Sequence, residues 1–144
     1  VARGISPRLL DVVDALPLRR GLRVLEIGCG PGVAARAVAG RIGDGHVLGI
    51  DRSAAAIARA LSASRPLIAA GVLGFRHVAI EDFVLEPGER RFDLAFAVRV
   101  GALDGRHPEA QQAALARIRG ALREHGRLFI DGGDPIREVP LGVA

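Results

Sequence analysis

Lysine, tryptophan, tyrosine and methionine are absent from this chain, and cysteine occurs once. The single Cys29 excludes an internal disulfide, and no group of Cys and His has the spacing of a metal site, so no metal is expected. Five phenylalanines are the only aromatic residues, and most sit in apparent strands. That leaves few platforms on which bases could stack. All 20 basic residues are arginines, scattered apart from pairs such as Arg19-Arg20 and Arg90-Arg91, and the net charge is +4. Without a basic stripe or stacking aromatics, a nucleic-acid partner is not expected. No apolar run reaches the roughly 18 to 20 residues of a membrane span, and the first residues lack the apolar region of a signal peptide. A cytoplasmic protein with no membrane association is therefore expected. The chain does not begin with methionine, which suggests processing or trimming.

What is present is enough apolar sequence, 49% of 144 residues, to build one core, and a single domain over 1–144 is expected. Residues 6–16 read as a short amphipathic helix, with Ser6 as N-cap and Pro7 in its first turn. Leu22–Ile27 reads as a first strand, Pro31–Ile42 as a helix, and His46–Ile50 as a second strand ending in Asp51. Ser53 can cap a helix from Ala54 to about Ala70, which Pro66 should kink or split. Phe75–Ile80 reads as a third strand, and Glu81–Arg91 as a polar connection. Phe92–Val98 is a fourth strand, followed by a loop over Val100–Arg106 and a helix over Pro108–Glu124. His125-Gly126 should stop that helix, and Arg127–Asp131 is a fifth strand. The tail from Gly132 shows little pattern. Short apolar strands alternating with helices indicate a doubly wound α/β fold. Its five-stranded, mainly parallel sheet is covered by helices on both faces, with ligands at the carboxyl ends of the strands.

The most informative stretch is Val24-Leu-Glu-Ile-Gly-Cys-Gly-Pro-Gly32. A buried strand running into a glycine turn brings bare backbone N–H groups to one point. A dinucleotide fingerprint, G-x-G-x-x-G/A, fits imperfectly: Gly28 and Gly30 match, but position 33 is valine and the third glycine, Gly32, comes one place early. A nicotinamide-binding oxidoreductase domain is accordingly the weaker alternative.

Glu26, Gly28, Gly30 and Gly32 spell E-x-G-x-G-x-G, which resembles the first motif of the class I, Rossmann-like S-adenosylmethionine-dependent methyltransferases. The resemblance extends over roughly Leu22 to Asp131. It implies S-adenosyl-L-methionine as cofactor and methyl transfer to a small-molecule acceptor as activity. A catalytically idle, cofactor-binding accessory subunit of the same fold is the alternative. It also implies cofactor contacts from Glu26, Gly28, Cys29, Gly30 and Gly32 in the turn, and from Asp51 and Arg52 after the second strand. Further contacts are implied from Ile80 and Glu81 after the third strand and from Val98 at the end of the fourth. In this family Glu26 lies near the amino-acid end of the ligand. Asp51 can accept both ribose hydroxyls, as it could for NAD. The adenine-side acid aligns on Ala79, Glu81 or Asp82, and spacing leaves that choice open.

After the fourth strand, Val98-Arg-Val-Gly101 stands where amino-group methyltransferases of nucleobases or glutamine carry an Asn/Asp-Pro-Pro-aromatic tetrapeptide. Asp104 and His107 lie in the loop that should face the acceptor and are the candidate bases. Arg99 is placed to meet an acidic acceptor. Thirteen residues after Asp131 are too few for the helix and antiparallel hairpin that usually follow. The apolar fifth strand would then be an open edge, covered either by the tail Ile136–Val143 or by a second copy of the chain in a homodimer.

Overall fold

The computed structural model describes residues 4–142. Six strands form one sheet in the order β3-β2-β1-β4-β5-β6. They are β1 (Arg23–Ile27), β2 (His46–Asp51), β3 (Leu73–His77), β4 (Phe92–Ala97), β5 (Leu122–Asp131) and β6 (Ile136–Val139). The first five pair in parallel, and β6 runs antiparallel to β5. The chain winds outward from β1 to β3, then returns to lay β4 on the other side of β1. The reversal opens a crevice at the carboxyl ends of β1 and β4, where ligands bind in such sheets.

Alternation along β1 sorts its side chains between two layers. Leu25 and Ile27 join Leu48, Ile50, Ala95 and Leu128 on one face, against α5 (Gly101–Asp104) and α6 (Pro108–Ala121). Val24 joins Val47, Leu94, Phe96 and Phe129 on the other, against α1 (Pro7–Ala15) and α2 (Val33–Ala39). Ser6 caps α1 by accepting from the Leu9 N–H at 3.2 Å, as its sequence indicates.

Several boundaries differ from the sequence reading, each for a local reason. The helix expected over Pro31–Ile42 is α2, shorter at both ends, because Gly32 takes φ +86° before it and Gly40 caps it. The helix through Pro66 divides into α3 (Ala54–Ala63) and α4 (Arg65–Ala69), with the break at Ser64. A proline ring at 66 clashes with the carbonyl four residues back and lacks the N–H to continue. β3 starts and ends earlier than Phe75–Ile80, because its ladder stops where β2 stops, at the Asp51–His77 pair. Ile80–Asp82 forms a single 3-10 turn instead. The expected loop after β4 contains the short helix α5. α6 ends at Ala121 rather than Glu124, and β5 begins at once. Residues 123–126 then bulge out opposite Asp93, and the regular ladder resumes at Arg127. The sheet has six strands rather than five. The tail supplies the sixth, pairing Ile136–Val139 with Leu128–Asp131, so the outer edge of β5 is covered by this chain itself.

Candidate functional site

The crevice at the switch point is a cleft of about 360 Å³ lined by 16 residues at and beyond the carboxyl ends of β1, β2, β3 and β4. Among the sequence-derived candidates, Gly28, Asp51, Arg52, Ile80, Glu81, Arg99 and His107 line it. Glu26, Cys29, Gly30, Gly32, Val98 and Asp104 do not. The first four of these lie in or beside the turn that shapes the cleft.

The turn is built from the backbone. Both the Gly28 and Cys29 N–H groups donate to the Ile50 carbonyl, at 2.8 and 2.9 Å, fastening β1 to β2 at their ends. Gly28 has φ +70°, and a Cβ there would stand 2.7 Å from Val100 Cγ2. A side chain would be strained by the backbone and would collide with the loop after β4. At Gly32, with φ +86°, a Cβ would stand 2.8 Å from Phe75 Cζ. Arg36 braces the turn from outside, donating from Nη1 to the Pro31 carbonyl and to Ser64 Oγ.

Asp51 joins the turn to the cleft. Its Oδ2 accepts from the Gly30 N–H and its Oδ1 from the Ser53 N–H, each at 2.8 Å. Each oxygen keeps a further lone pair, and Asp51 is half-buried on the cleft wall. His77 Nε2 stands 2.9 Å from the Arg52 carbonyl and fixes the next residue of the same wall.

Glu26 is 4% exposed, on the α2 face of β1. Its Oε1 is buried without a hydrogen-bond partner. Burial pushes its carboxyl up to about 8, and the Asp51 charge pushes the same way. The Ala35 N–H and the Arg36 guanidinium offset this only in part. Cys29 is also buried, and burial beside Glu26 and Asp51 holds its thiol well above the usual range, so it is a poor nucleophile.

The opposite wall comes from the chain after β4. Arg99 has φ +59°, a left-handed conformation that L side chains disfavour. Its N–H donates to Asp131 Oδ1 at 3.0 Å, and its carbonyl accepts from Arg106 Nη2 at 2.6 Å. His107 lies over Gly101: its N–H donates to the Gly101 carbonyl at 2.9 Å, and a Cβ at 101 would overlap its ring. The His107 Nδ1 stands 3.5 Å from Glu109 Oε1. Asp104 is engaged elsewhere. Its carboxylate accepts from Arg106 Nε at 2.9 Å, and that guanidinium holds it below its usual range.

Sequence reasoning overlooked Val100, Gly101 and Glu109 as cleft residues. Glu109 was accessible, since the first turn of a helix following a parallel strand faces the ligand end of such a sheet. Val100 gives no signal beyond being apolar. Among the described residues, no group of three or more His, Cys, Asp or Glu could hold a metal ion, and no helix is long and apolar enough to cross a membrane.

Residues 24–126, from β1 through the bulge of β5, match the family described as Methyltransferase domain. The chain is 34% identical over 144 residues to a nocamycin O-methyltransferase of Saccharothrix syringae, covering 97% of this chain and 48% of that protein. It is 31% identical over 134 residues to the O-methyltransferase rstn1 of Aspergillus nomiae, covering 90% of this chain and 56% of that protein. The chain thus spans about half the length of the curated relatives it matches. Among solved structures, an S-adenosylmethionine-dependent methyltransferase from Geobacter sulfurreducens, in complex with S-adenosyl-L-homocysteine, is similar. Its TM-score is 0.67 at 25% identity, over 90% of this chain and 49% of that one. The switch-point cleft, the glycine turn and these matches together show that the chain belongs to the methyltransferase domain family, in its class I, S-adenosylmethionine-dependent branch.

Proposed function

We propose that the chain, as one domain, binds S-adenosylmethionine in this cleft and directs its methyl group to a hydroxyl oxygen of a small-molecule acceptor. The observation that carries the reading is Asp51: one carboxylate holds the Gly30 N–H of the turn and still faces the cleft with free lone pairs. Those lone pairs suit a pair of vicinal ribose hydroxyls. The unpartnered, buried Glu26 Oε1 is the second sign of fit. A cationic amino group beside the turn, reached directly or through water, would satisfy it and favour its charged form.

When bound, the cofactor supplies a methyl group made electrophilic by its sulfonium. The chain's own residues then hold and orient. Gly28, Cys29, Gly30 and Gly32 let the backbone approach the ligand closely. Arg52, Ile80 and Glu81 form the wall on the adenosine side, and Val98 lies at the end of β4. Methyl transfer mainly requires a nucleophile aligned with the carbon. A hydroxyl is a poor nucleophile at neutral pH and gains from a base. We assign that role to His107, which lines the cleft, rather than to Asp104, whose carboxylate is held by Arg106.

The names of the two relatives support a hydroxyl acceptor. The scarcity of aromatic residues speaks for a small molecule over a nucleic acid. We place the protein in the cytoplasm. Dimerisation through the β5 edge does not enter the proposal, because β6 occupies that edge. The test is methyl transfer from radiolabelled S-adenosylmethionine to a panel of phenols and aliphatic alcohols. Labelled product is expected from at least one phenol. Tight binding of S-adenosylhomocysteine with no transfer to any acceptor would assign the chain to a non-catalytic role instead.

A further inference from the structure

We infer that Arg99 is an anion-binding residue of the cleft, placed to grip a carboxylate of the bound ligands; the inference rests on the methyltransferase reading above. Only two non-glycine residues among the described ones have positive φ, and Arg99 is the one that lines the cleft. Such a conformation is held against its own preference by about 1–2 kcal/mol. Strained residues of this kind persist where the surroundings over-determine them, and they cluster at ligand sites.

Here the surroundings are visible. Asp131 Oδ1 holds the Arg99 N–H, and Arg106 holds its carbonyl. The other arginines of this rim are used for structure: Arg106 pairs with Asp104 at 2.9 Å, and Arg8 stands 3.9 Å from Asp131. The Arg99 guanidinium has neither a hydrogen bond nor an ion pair among the described residues. Arg52 shares the cleft and is likewise unpaired, but nothing clamps its backbone into a disfavoured conformation. An exposed guanidinium carried on a clamped backbone at the carboxyl end of β4 offers the fork that matches a carboxylate in bidentate fashion. Two carboxylates can reach a methyltransferase cleft, that of the cofactor's amino-acid end and that of an acidic acceptor.

The test exploits the strain. Arg99→Gly removes the guanidinium and permits φ +59°, so the variant should fold with an unchanged or higher Tm. Arg99→Asn, which tolerates the left-handed region, is the second variant. Calorimetry then uses three probes: S-adenosylhomocysteine, 5′-methylthioadenosine (the same nucleoside without the amino acid), and 4-hydroxybenzoate added to the S-adenosylhomocysteine-loaded protein. Loss of S-adenosylhomocysteine affinity by about tenfold to a hundredfold, with methylthioadenosine unchanged, assigns the cofactor's carboxylate. Unchanged nucleoside binding with the same loss for 4-hydroxybenzoate assigns the acceptor's. Equal affinities of both variants and the wild type for all three probes would overturn the inference while leaving the cofactor reading intact. Failure of the wild type to bind S-adenosylhomocysteine would instead remove the reading on which it rests.

Discussion

The two halves of the sheet obtain unusual backbone in opposite ways. In the β1–β2–β3 half the ladders run without a register break, and each positive φ of the glycine turn belongs to a glycine. In the β4–β5–β6 half the register slips between Phe92 and Leu94, and the two positive φ values outside glycine among the described residues, at Arg99 and His125, both occur there. Glycine adopts the left-handed region without strain, whereas arginine and histidine do so only when held. The first half is therefore a relaxed cradle, its glycines unstrained and its turn held by Asp51 and Arg36. The second is a strained wall in which tertiary clamps hold the backbone that carries a side chain. A cradle suits a ligand shared by a whole family, and a side-chain wall suits an acceptor that differs from protein to protein.

The sharpest way to break this division is to remove the side chain proposed to act on the acceptor side. His107→Gln is expected to lower the rate of methyl transfer to a phenol about a hundredfold. Its affinity for S-adenosylhomocysteine should stay within about twofold. A parallel loss of cofactor affinity would place His107 on the cradle side and erase the distinction.

The cradle itself is tested by Gly28→Ala. The new Cβ would face Val100 at 2.7 Å with φ +70°. A loss of about 2–3 kcal/mol in unfolding free energy is expected from the two effects together. Denaturant melts showing wild-type stability would mean that the turn is not locked against the loop after β4.

Glu26 gives the cradle a pH signature. Its carboxyl sits at about 8 in the folded protein, against an ordinary value of 4.5. The folded state therefore holds a proton that the unfolded state has released over that window. Stability should fall as pH rises from about 4.5 to about 8. Glu26→Gln should flatten that slope, removing a pH-dependent difference of up to about 5 kcal/mol across the window. Chemical denaturation across this range is the check, and an identical slope in both proteins would count against a buried, protonated Glu26.

The smallest effect is expected at His125, whose strain lies in an exposed bulge away from the cleft. His125→Gly should raise stability by about 0.5–1 kcal/mol and leave ligand binding alone. Set beside Arg99→Gly, it separates strain that serves a ligand from strain that does not.

The same contrast explains how far the sequence could be read. Glycine announces a turn, so Gly28, Gly30, Gly32 and the acid at Asp51 were legible in the sequence as one cluster, and the Gly30 N–H does reach Asp51. The parallel α/β order was legible from apolar periodicity. The second half was not, because its devices depend on tertiary clamps. Nothing local to Arg99 tells that Asp131, 32 residues away, holds its N–H. Nothing local to Leu122 tells that a strand begins where helix formers continue, because pairing with Phe92 overrides that preference. The tail reads as patternless, yet Ile136 and Val139 pair across from Asp131 and Leu128, and only the neighbouring strand makes a strand of it. Asp104 and His107 looked equivalent as bases; the cleft lining and the position of Arg106 distinguish them.

The central claim is that the glycine turn and Asp51 form a site for S-adenosylmethionine rather than for a pyrophosphate-bearing dinucleotide. Calorimetry of the wild type and of Asp51→Ala with S-adenosylhomocysteine and with NAD tests it most directly. The structure predicts binding of S-adenosylhomocysteine to the wild type, no heat with NAD, and a loss of about 1.5–3 kcal/mol in the variant from the charge-assisted hydrogen bonds removed. Binding of NAD alone, or S-adenosylhomocysteine affinity unchanged by loss of Asp51, would contradict it.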